Sequence, residues 1–422
     1  MSKNKLNGLS RVERKPLIYD PVTKKCYNGE MHFKATHKEI NAWSVTNSFK
    51  SEYIPIKCPD EKTLEEGYAE FVKQADKLKE QSKGRLNLYL SGTLKKASLA
   101  LFFYMANAKG YVPEELTEME TEWFINCNHG QLVFIDPMYK DRKSHSYDIN
   151  SMYPSLMRDQ HFKIPMKQGT FTTLTQDAFE KLAFFQYGIY RVKIDPPPEF
   201  EPDECEMTKE EYKMYYKYNA TRRTFRFNKN NYYTSTDLNV AKKLELKMTI
   251  IEDASPNFLA YGAGTTLTGS QVFKMFVDNM FKLRTETKNK DFKTILNILW
   301  GALCSSNLKT FQYDITKELT FDIDIDPEKY VISNQYFVRN NIFKIEYYKK
   351  NNYFNYAWIR MKPFLLAFGR QKLGRIMTPY ITDIVSVNTD GFKTFREIEI
   401  EVGEAIGDVR YEGLVEESRF KN

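Results

Sequence analysis

Two aspartates far apart in the chain, each where the backbone should change direction, carry the chemistry that residue types and spacing suggest. The first lies in Tyr147-Asp148-Ile149-Asn150-Ser151-Met152-Tyr153-Pro154. A β-type run ends at Ile149 and Pro154 suits the first turn of a helix, which puts Asp148 at a strand end. A carboxylate there can hold Mg²⁺ while the amides of the turn and the helix start face a phosphate. Read alone, the segment is equally an ordinary strand-turn-helix with a capping carboxylate. The second aspartate lies in Asn388-Thr389-Asp390-Gly391-Phe392, a β-branched run broken by turn residues and then resumed. That is a hairpin signal with Asp390 at the tip, although an aspartate in a tight turn is commonplace.

Between them runs Lys293-Thr-Ile-Leu-Asn297-Ile-Leu-Trp300-Gly301. At about 100° per residue, Lys293, Asn297, Trp300 and Gly301 share one helix face, and a pure core face would avoid the lysine and asparagine. Arg284 lies half a turn out of phase with Lys293 on a straight helix. The polar run 285–291 lets the chain reverse, so 273–284 and 292–305 read as an antiparallel pair presenting both cations to one anion. A carboxylate on a strand end, a cationic helix pair and a carboxylate on a hairpin tip are the parts a nucleotidyl transferase needs.

The elements that must hold these parts are mixed. Residues 1–60 read as polar and irregular, and 64–80 as an amphipathic helix. Short β-rich runs follow at 132–135, 146–149, 186–194 and 381–387, with helical patterns at 237–247 and 271–305. Strands converging from distant stretches, with helices between them, predict an α+β core with long excursions. Pro196, Pro197, Pro198 and Pro202 suggest a stiff connection before a mobile, charged loop.

The three motifs together resemble family B DNA polymerases, most closely the protein-primed branch of phages, eukaryotic viruses and linear plasmids. Asp148-Ile-Asn-Ser-Met-Tyr-Pro is similar to motif A (DxxSLYP), 293–301 to motif B (KxxxNSxYG), and Asn388-Thr-Asp390-Gly to motif C (DTDS or DTDG). The resemblance runs from about residue 86 onward. It implies a right-hand palm of antiparallel sheet and helices with a two-helix fingers excursion. It also implies DNA polymerase activity on primer-template DNA and dNTPs, with two Mg²⁺ ions for which Mn²⁺ can substitute. Asp148 and Asp390 would be the metal-binding carboxylates, with the Ile149 carbonyl completing one shell. Tyr153 would be the steric gate against a 2′-hydroxyl, and the amides of Asn150, Ser151 and Met152 would touch the triphosphate. Arg284 and Lys293 would grip its phosphates, while Asn297 and Trp300 would border the nascent base pair. A terminal protein is implied as a possible primer.

Several departures shape the expected organisation. Asn388 replaces the first motif C aspartate, and Ile298 and Trp300 replace a serine and a tyrosine of motif B. Asn128-His129-Gly130-Gln131 sits where the branch carries YxGG. Residues 1–140 contain no DxE, so no 3′–5′ proofreading is expected. Only 32 residues follow Asp390, without a KxY, so either the chain is a fragment, or a separate thumb-bearing polypeptide supplies the thumb, as a separate exonuclease polypeptide would supply proofreading, or the thumb is short or absent. The expected divisions are an N-terminal region of unknown role (1–85), a connection (86–145), the palm with a charged insertion (146–272), the fingers pair (273–305), an insertion (306–352) and the rest of the palm (353–422). The insertion is a candidate for priming and strand displacement.

Two other readings compete. Asp322-Ile-Asp324-Ile-Asp326 and Glu397-Ile-Glu399-Ile-Glu401 each put three carboxylates on one face of a strand. They could build a metal-dependent nuclease, but alternation with isoleucine is also what any half-buried strand shows. A catalytically silent nucleic-acid-binding replication subunit is the rival from another class. Buried like charges that need a metal speak against it.

Composition bounds the rest. With 422 residues and 42% hydrophobic content, the chain can build two or three packed units, which excludes a disordered tail protein. The longest apolar run, 99–106, is far short of a membrane span, and no secretion signal follows Met1. Five cysteines without a CxxC argue against a disulfide framework or zinc knot and for a reducing cytoplasm. The net charge of +7 is modest, but seven Lys and Arg fall between Lys73 and Lys96, and eight carboxylates between Glu397 and Glu417. The 15% aromatic content suits base stacking, and it also accompanies Lys- and Asn-rich chains encoded by A+T-rich DNA.

Overall fold

The structure, a computed structural model, describes residues 18–20, 25–27, 31–35, 42–47, 52–57, 64–137, 142–200, 207–314, 325–339 and 342–415. The chain forms two compact units, Met1–Val112 with Met275–Ala302 and Pro113–Lys274 with Leu303–Asn422. Both mix helices with antiparallel sheet, an α+β architecture.

The first unit holds five short strands, Ile18–Asp20, Lys25–Tyr27, Met31–Ala35, Ala42–Asn47 and Glu52–Lys57, paired antiparallel in sequential order. The irregular region expected here is therefore partly sheet. Helix Leu64–Gln81 forms as expected and buries Phe71, Ala75 and Leu78 along one face. Helix Leu94–Ala108 starts at Thr93, whose hydroxyl accepts from the Lys96 amide. Its Phe102 meets Phe276 edge-on at 6.3 Å, and Ser98 Oγ donates to the Ile295 carbonyl at 2.9 Å. Helices Lys274–Thr287 and Lys290–Leu303 are separated only by Lys288, at φ +55°, and Asn289. The first helix runs further than the polar sequence suggested, because Asn289 Oδ1 caps the second by accepting from the Asp291 amide at 3.0 Å.

The second unit runs through α1 (Glu118–Asn126), β1 (Val133–Ile135), β2 (Ser144–Ile149), α2 (Met152–Met157), β3 (Thr170–Thr172) and β4 (Gly188–Ile194). Next come α3 (Lys209–Thr224), β5 (Tyr232–Thr234), α4 (Ser235–Lys243), β6 (Met248–Ile250) and β7 (Phe258–Ala260). After Leu303 it resumes with β8 (Lys309–Asp314), β9 (Tyr330–Arg339), β10 (Ile342–Lys349), α5 (Lys362–Met377), β11 (Ile384–Asn388), β12 (Gly391–Thr394) and β13 (Val409–Val415). One antiparallel sheet has the order β13-β2-β12-β11-β1, so β2 is paired along both sides. A second has the order β5-β4-β7-β3, with β6 also on β4, and a third the order β8-β10-β9. Helix α5 buries Phe364, Leu365, Leu366, Leu373 and Met377 and packs against α2, α3 and α4.

One ion pair in this unit is entirely enclosed. Arg360 Nη2 donates to Glu120 Oε2 at 2.6 Å and Arg360 Nε to Oε1 at 3.1 Å, with both side chains at 0% exposure. Arg360 also donates to the carbonyls of Glu114 and Glu115, and Glu120 Oε1 accepts from Tyr261 Oη and the Gly169 amide. Every polar group of the pair is thus occupied.

Three expectations are corrected. The charged stretch after the prolines carries the helix α3, started by a reciprocal cap between Thr208 and Glu211; residues 201–206 lie outside the described ones. The helix expected over 237–247 stops at Lys243, and Glu245 turns at φ +53° into β6. Glu397, Glu399 and Glu401 lie in no strand, so the carboxylate face expected there does not form. Asp322 and Asp324 lie outside the described residues, and Asp326 is paired with Lys329 at 2.7 Å.

Candidate active site

The strand end and the hairpin tip meet. β11 and β12 are joined by Thr389 and Asp390 alone, with Thr389 at φ +64° and the Asp390 amide donating to the Asn388 carbonyl at 2.8 Å. Gly391 pairs directly with Asp148 across β2 and β12, and the Ile149 amide donates to the Asp390 carbonyl at 2.9 Å. A Cβ at Gly391 would lie 2.8 Å from the Tyr147 carbonyl and 3.5 Å from Asp148 Oδ1. Only glycine lets the two aspartate-bearing segments come this close.

Among the described residues, no group of three or more His, Cys, Asp or Glu side chains is arranged so that it could hold a metal ion. Asp148 and Asp390 bring two carboxylates, hard oxygen donors, to adjacent chain segments. This suits Mg²⁺ or Mn²⁺, which take one or two carboxylates and fill the remaining positions with substrate and water oxygens.

After Ile149 the chain reverses sharply at Ser151, which caps α2 from φ +50° and ψ 52°. Met152 and Tyr153 are buried behind the turn. Burial pushes the Tyr153 phenol well above the usual tyrosine range; the Arg370 charge opposes this and the Asp390 charge adds to it, so the ring lies within electrostatic reach of the hairpin tip. Asn150 does something other than touch phosphate through its amide. That amide donates to the Asp408 carbonyl at 2.9 Å, and Asn150 Nδ2 donates to the carbonyls of Glu404 and Ala405. The Gly407 amide donates to the Asn150 carbonyl at 2.7 Å, so Asn150 anchors the 404–408 loop.

Lys293, Asn297 and Trp300 belong to helix Lys290–Leu303, and Arg284 to Lys274–Thr287, both in the first unit. Phe292, Ile295, Leu296, Leu299 and Leu303 form the buried face of helix Lys290–Leu303. Lys293 and Gly301 are exposed and Asn297 and Trp300 half-buried, so the face expected to work is not the buried one. Asn297 Oδ1 is buried without a hydrogen-bond partner among the described residues. Arg284 lies over the Phe281 ring at 5.6 Å.

A second buried cluster was not anticipated. Arg370 of α5 donates from Nη2 to Asp237 Oδ1 at 2.8 Å and from Nη1 to the Gly130 carbonyl at 2.7 Å. Although burial alone would raise it, the Asp237 carboxyl is held below its usual range by Arg370, His129 and hydrogen bonds. Cys127, His129 and Asp237 imitate a nucleophile with its base. However, burial pushes the thiol well up, so it is a packed, inert cysteine. No motif marks Arg370; the only sequence signal for its helix is the apolar spacing after Pro363.

His129 supplies a prediction. Burial, assisted by Arg370, lowers its pKa to about 4. In the unfolded chain it binds a proton below about 6.5. Protonation between these values therefore favours unfolding, and stability should fall from pH 6.5 to 4 by up to about 3 kcal/mol from this group. Urea titrations across that range should show the loss, and His129→Phe should reduce the slope by about one proton; an unchanged slope refutes the assignment.

Comparison with known proteins extends the picture. Residues 63–383, more than half of the chain, match the family model for DNA polymerase type B, organellar and viral. No curated protein matches the chain. The fold is similar to that of Phi29 DNA polymerase complexed with primer-template DNA (post-translocation binary complex), with a TM-score of 0.53 and 14% identity over 83% of this chain and 57% of that one. Its ternary complex with primer-template DNA and incoming nucleotide substrates gives 0.49 and 15%, over 76% of this chain and 52% of that one. The chain thus spans little more than half the length of these proteins.

Proposed function

Because the chain belongs to the family of organellar and viral type B DNA polymerases, we propose that it transfers deoxynucleotides from dNTPs to a primer hydroxyl under the direction of a DNA template. The observation that carries this reading is the pairing of Gly391 with Asp148, which sets Asp148 and Asp390 side by side. In this reading Asp148 and Asp390, with the Ile149 carbonyl, would hold two Mg²⁺ ions, whose chemistry would be to lower the pKa of the attacking hydroxyl and offset charge at the phosphate. Arg284 and Lys293 neutralise the triphosphate, Ser151 and Met152 offer their amides to it, and Asn297 and Trp300 border the new base pair. Tyr153 lies beneath the sugar and excludes a 2′-hydroxyl.

Primer-template DNA, with which the similar Phi29 DNA polymerase is complexed, and dNTPs are the proposed substrates, with a protein hydroxyl as one possible starting primer. We propose no proofreading role for residues 1–140. Among the described residues no helix is long and apolar enough to cross a membrane, and the proposed setting is a host cytoplasm.

Primer extension with Mg²⁺ and dNTPs tests the reading: template-directed elongation supports it, and binding without elongation favours the silent subunit. Tyr153→Val should raise ribonucleotide incorporation by roughly 10²-fold or more, on the scale at which a fitted pocket rejects one added group. Unaltered sugar selectivity would remove Tyr153 from this role.

A further inference from the structure

Gly369, on α5, faces the Tyr153 ring. A Cβ built on Gly369 would lie 3.1 Å from Tyr153 Cε1, 3.2 Å from Tyr153 Oη and 3.4 Å from Met152 Cε. Carbon atoms pack best at about 3.5–4.0 Å, so a methyl group here would have to displace something. The methionine end is flexible and its contact close to ordinary. The tyrosine ring makes the two closest contacts and is 5% exposed.

The helix backbone is a poor candidate to yield. The very next residue, Arg370, is 4% exposed and pinned to Asp237 and to the Gly130 carbonyl. One turn on, a Cβ at Gly374 would already lie 3.4 Å from Thr224 Cβ of α3. Pro363, Phe364, Leu365, Leu366 and Ala367 fix the preceding turns in the core. With α5 held at both sides of Gly369, the added volume goes into the Tyr153 ring, pushing it away from α5.

We infer that Gly369 is a specificity-determining residue that acts through Tyr153: the absent side chain sets how deeply the phenol ring seats, and hence how much room is left for the sugar of an incoming nucleotide. This rests on the reading of Tyr153 as the sugar gate. Gly369 touches no substrate; it positions the residue that does. Gly369 backs the ring from α5, and in the gate reading the sugar lies on the side away from Gly369, so filling Gly369 narrows the pocket.

The test measures kcat/KM for matched dNTP and rNTP in single-nucleotide primer extension. Gly369→Ala is expected to increase the preference for deoxyribose by roughly tenfold, the scale of one methylene in a fitted pocket, mainly through the rNTP KM. Alanine's helix preference over glycine offsets part of the cost of crowding the ring, so the thermal midpoint should drop only modestly. Tyr153→Phe removes one of the two crowded ring atoms, the oxygen at 3.2 Å, and keeps Cε1 at 3.1 Å. The Gly369→Ala/Tyr153→Phe variant should therefore return only part of the way to the preference of Tyr153→Phe alone, and the double-mutant cycle should show coupling. This pair remains readable if the single alanine variant folds poorly. A Gly369→Ala preference within twofold of the unmutated chain, or a fully additive cycle, overturns the inference while leaving the gate intact, provided Tyr153→Val opens sugar selectivity. Unchanged selectivity in Tyr153→Val overturns the gate reading and this inference with it.

Discussion

Asp148→Ala and Asp390→Ala should each slow deoxynucleotide incorporation by about 10³-fold or more, while primer-template binding persists. The expectation follows from the chemistry of the pair. A divalent ion at a reacting phosphate is worth several kcal/mol of transition-state stabilisation, and about 1.4 kcal/mol is a factor of ten in rate. Both carboxylates would serve the same ions, so the double variant should be little slower than either single one. Asp148→Asn and Asp390→Asn keep size and hydrogen bonding while removing charge, and should be nearly as impaired. Single-turnover extension at saturating dNTP is the measurement. Loss of less than tenfold in either alanine variant would falsify the assignment of these residues to the reaction.

Arg360→Met should cost about 3–5 kcal/mol of folding stability. It leaves Glu120 charged, with 0% exposure, and stripped of two donors. It also frees the Glu114 and Glu115 carbonyls that Arg360 holds. The control is Glu120→Leu/Arg360→Met. Removing both charges should restore much of the loss, since a buried pair replaced by apolar groups is often neutral. Urea unfolding followed by tryptophan fluorescence reports both, and equal destabilisation by the single and double variants would show that packing, not charge, dominates here.

These two sites differ in how visible they are in sequence. Asp148 and Asp390 were legible because each lies in a local pattern that dictates its own backbone: a β run stopped before Tyr153-Pro154, and a hairpin closed by Thr389 to Gly391. Their meeting depends on one further local fact, the glycine after Asp390, which the pairing with Asp148 explains. The face of Lys293, Asn297 and Trp300 was legible from helical period alone. Glu120, Arg360, Asp237 and Arg370 were not, because each is defined by a partner supplied from a remote stretch of chain, and nothing beside Arg370 in sequence announces Asp237. Of the five strands between Ile18 and Lys57, two have only three residues, but Met31–Ala35 alternates apolar Met31, Phe33 and Ala35 with polar His32 and Lys34, a strand signal that the irregular reading of 1–60 passes over. Helix α3 did carry a local signal, Thr208 with Glu211 three residues on, but its mixed polar surface shows little apolar stripe. At Glu397 to Glu401 the alternation that suggests a strand is present and the strand is absent, because no neighbouring strand takes up its backbone groups.

The placement of β2 between β12 and β13 has a consequence for how this protein tolerates its own machinery. A strand bearing a key carboxylate is a poor place for an open rim of amide and carbonyl groups, since such a rim recruits other chains. Here residues 409–415 zip shut the side that the hairpin leaves bare. They seal the strand against self-association as well as steadying it, so cleavage just before Val409 would turn a guarded interior ribbon into an adhesive one.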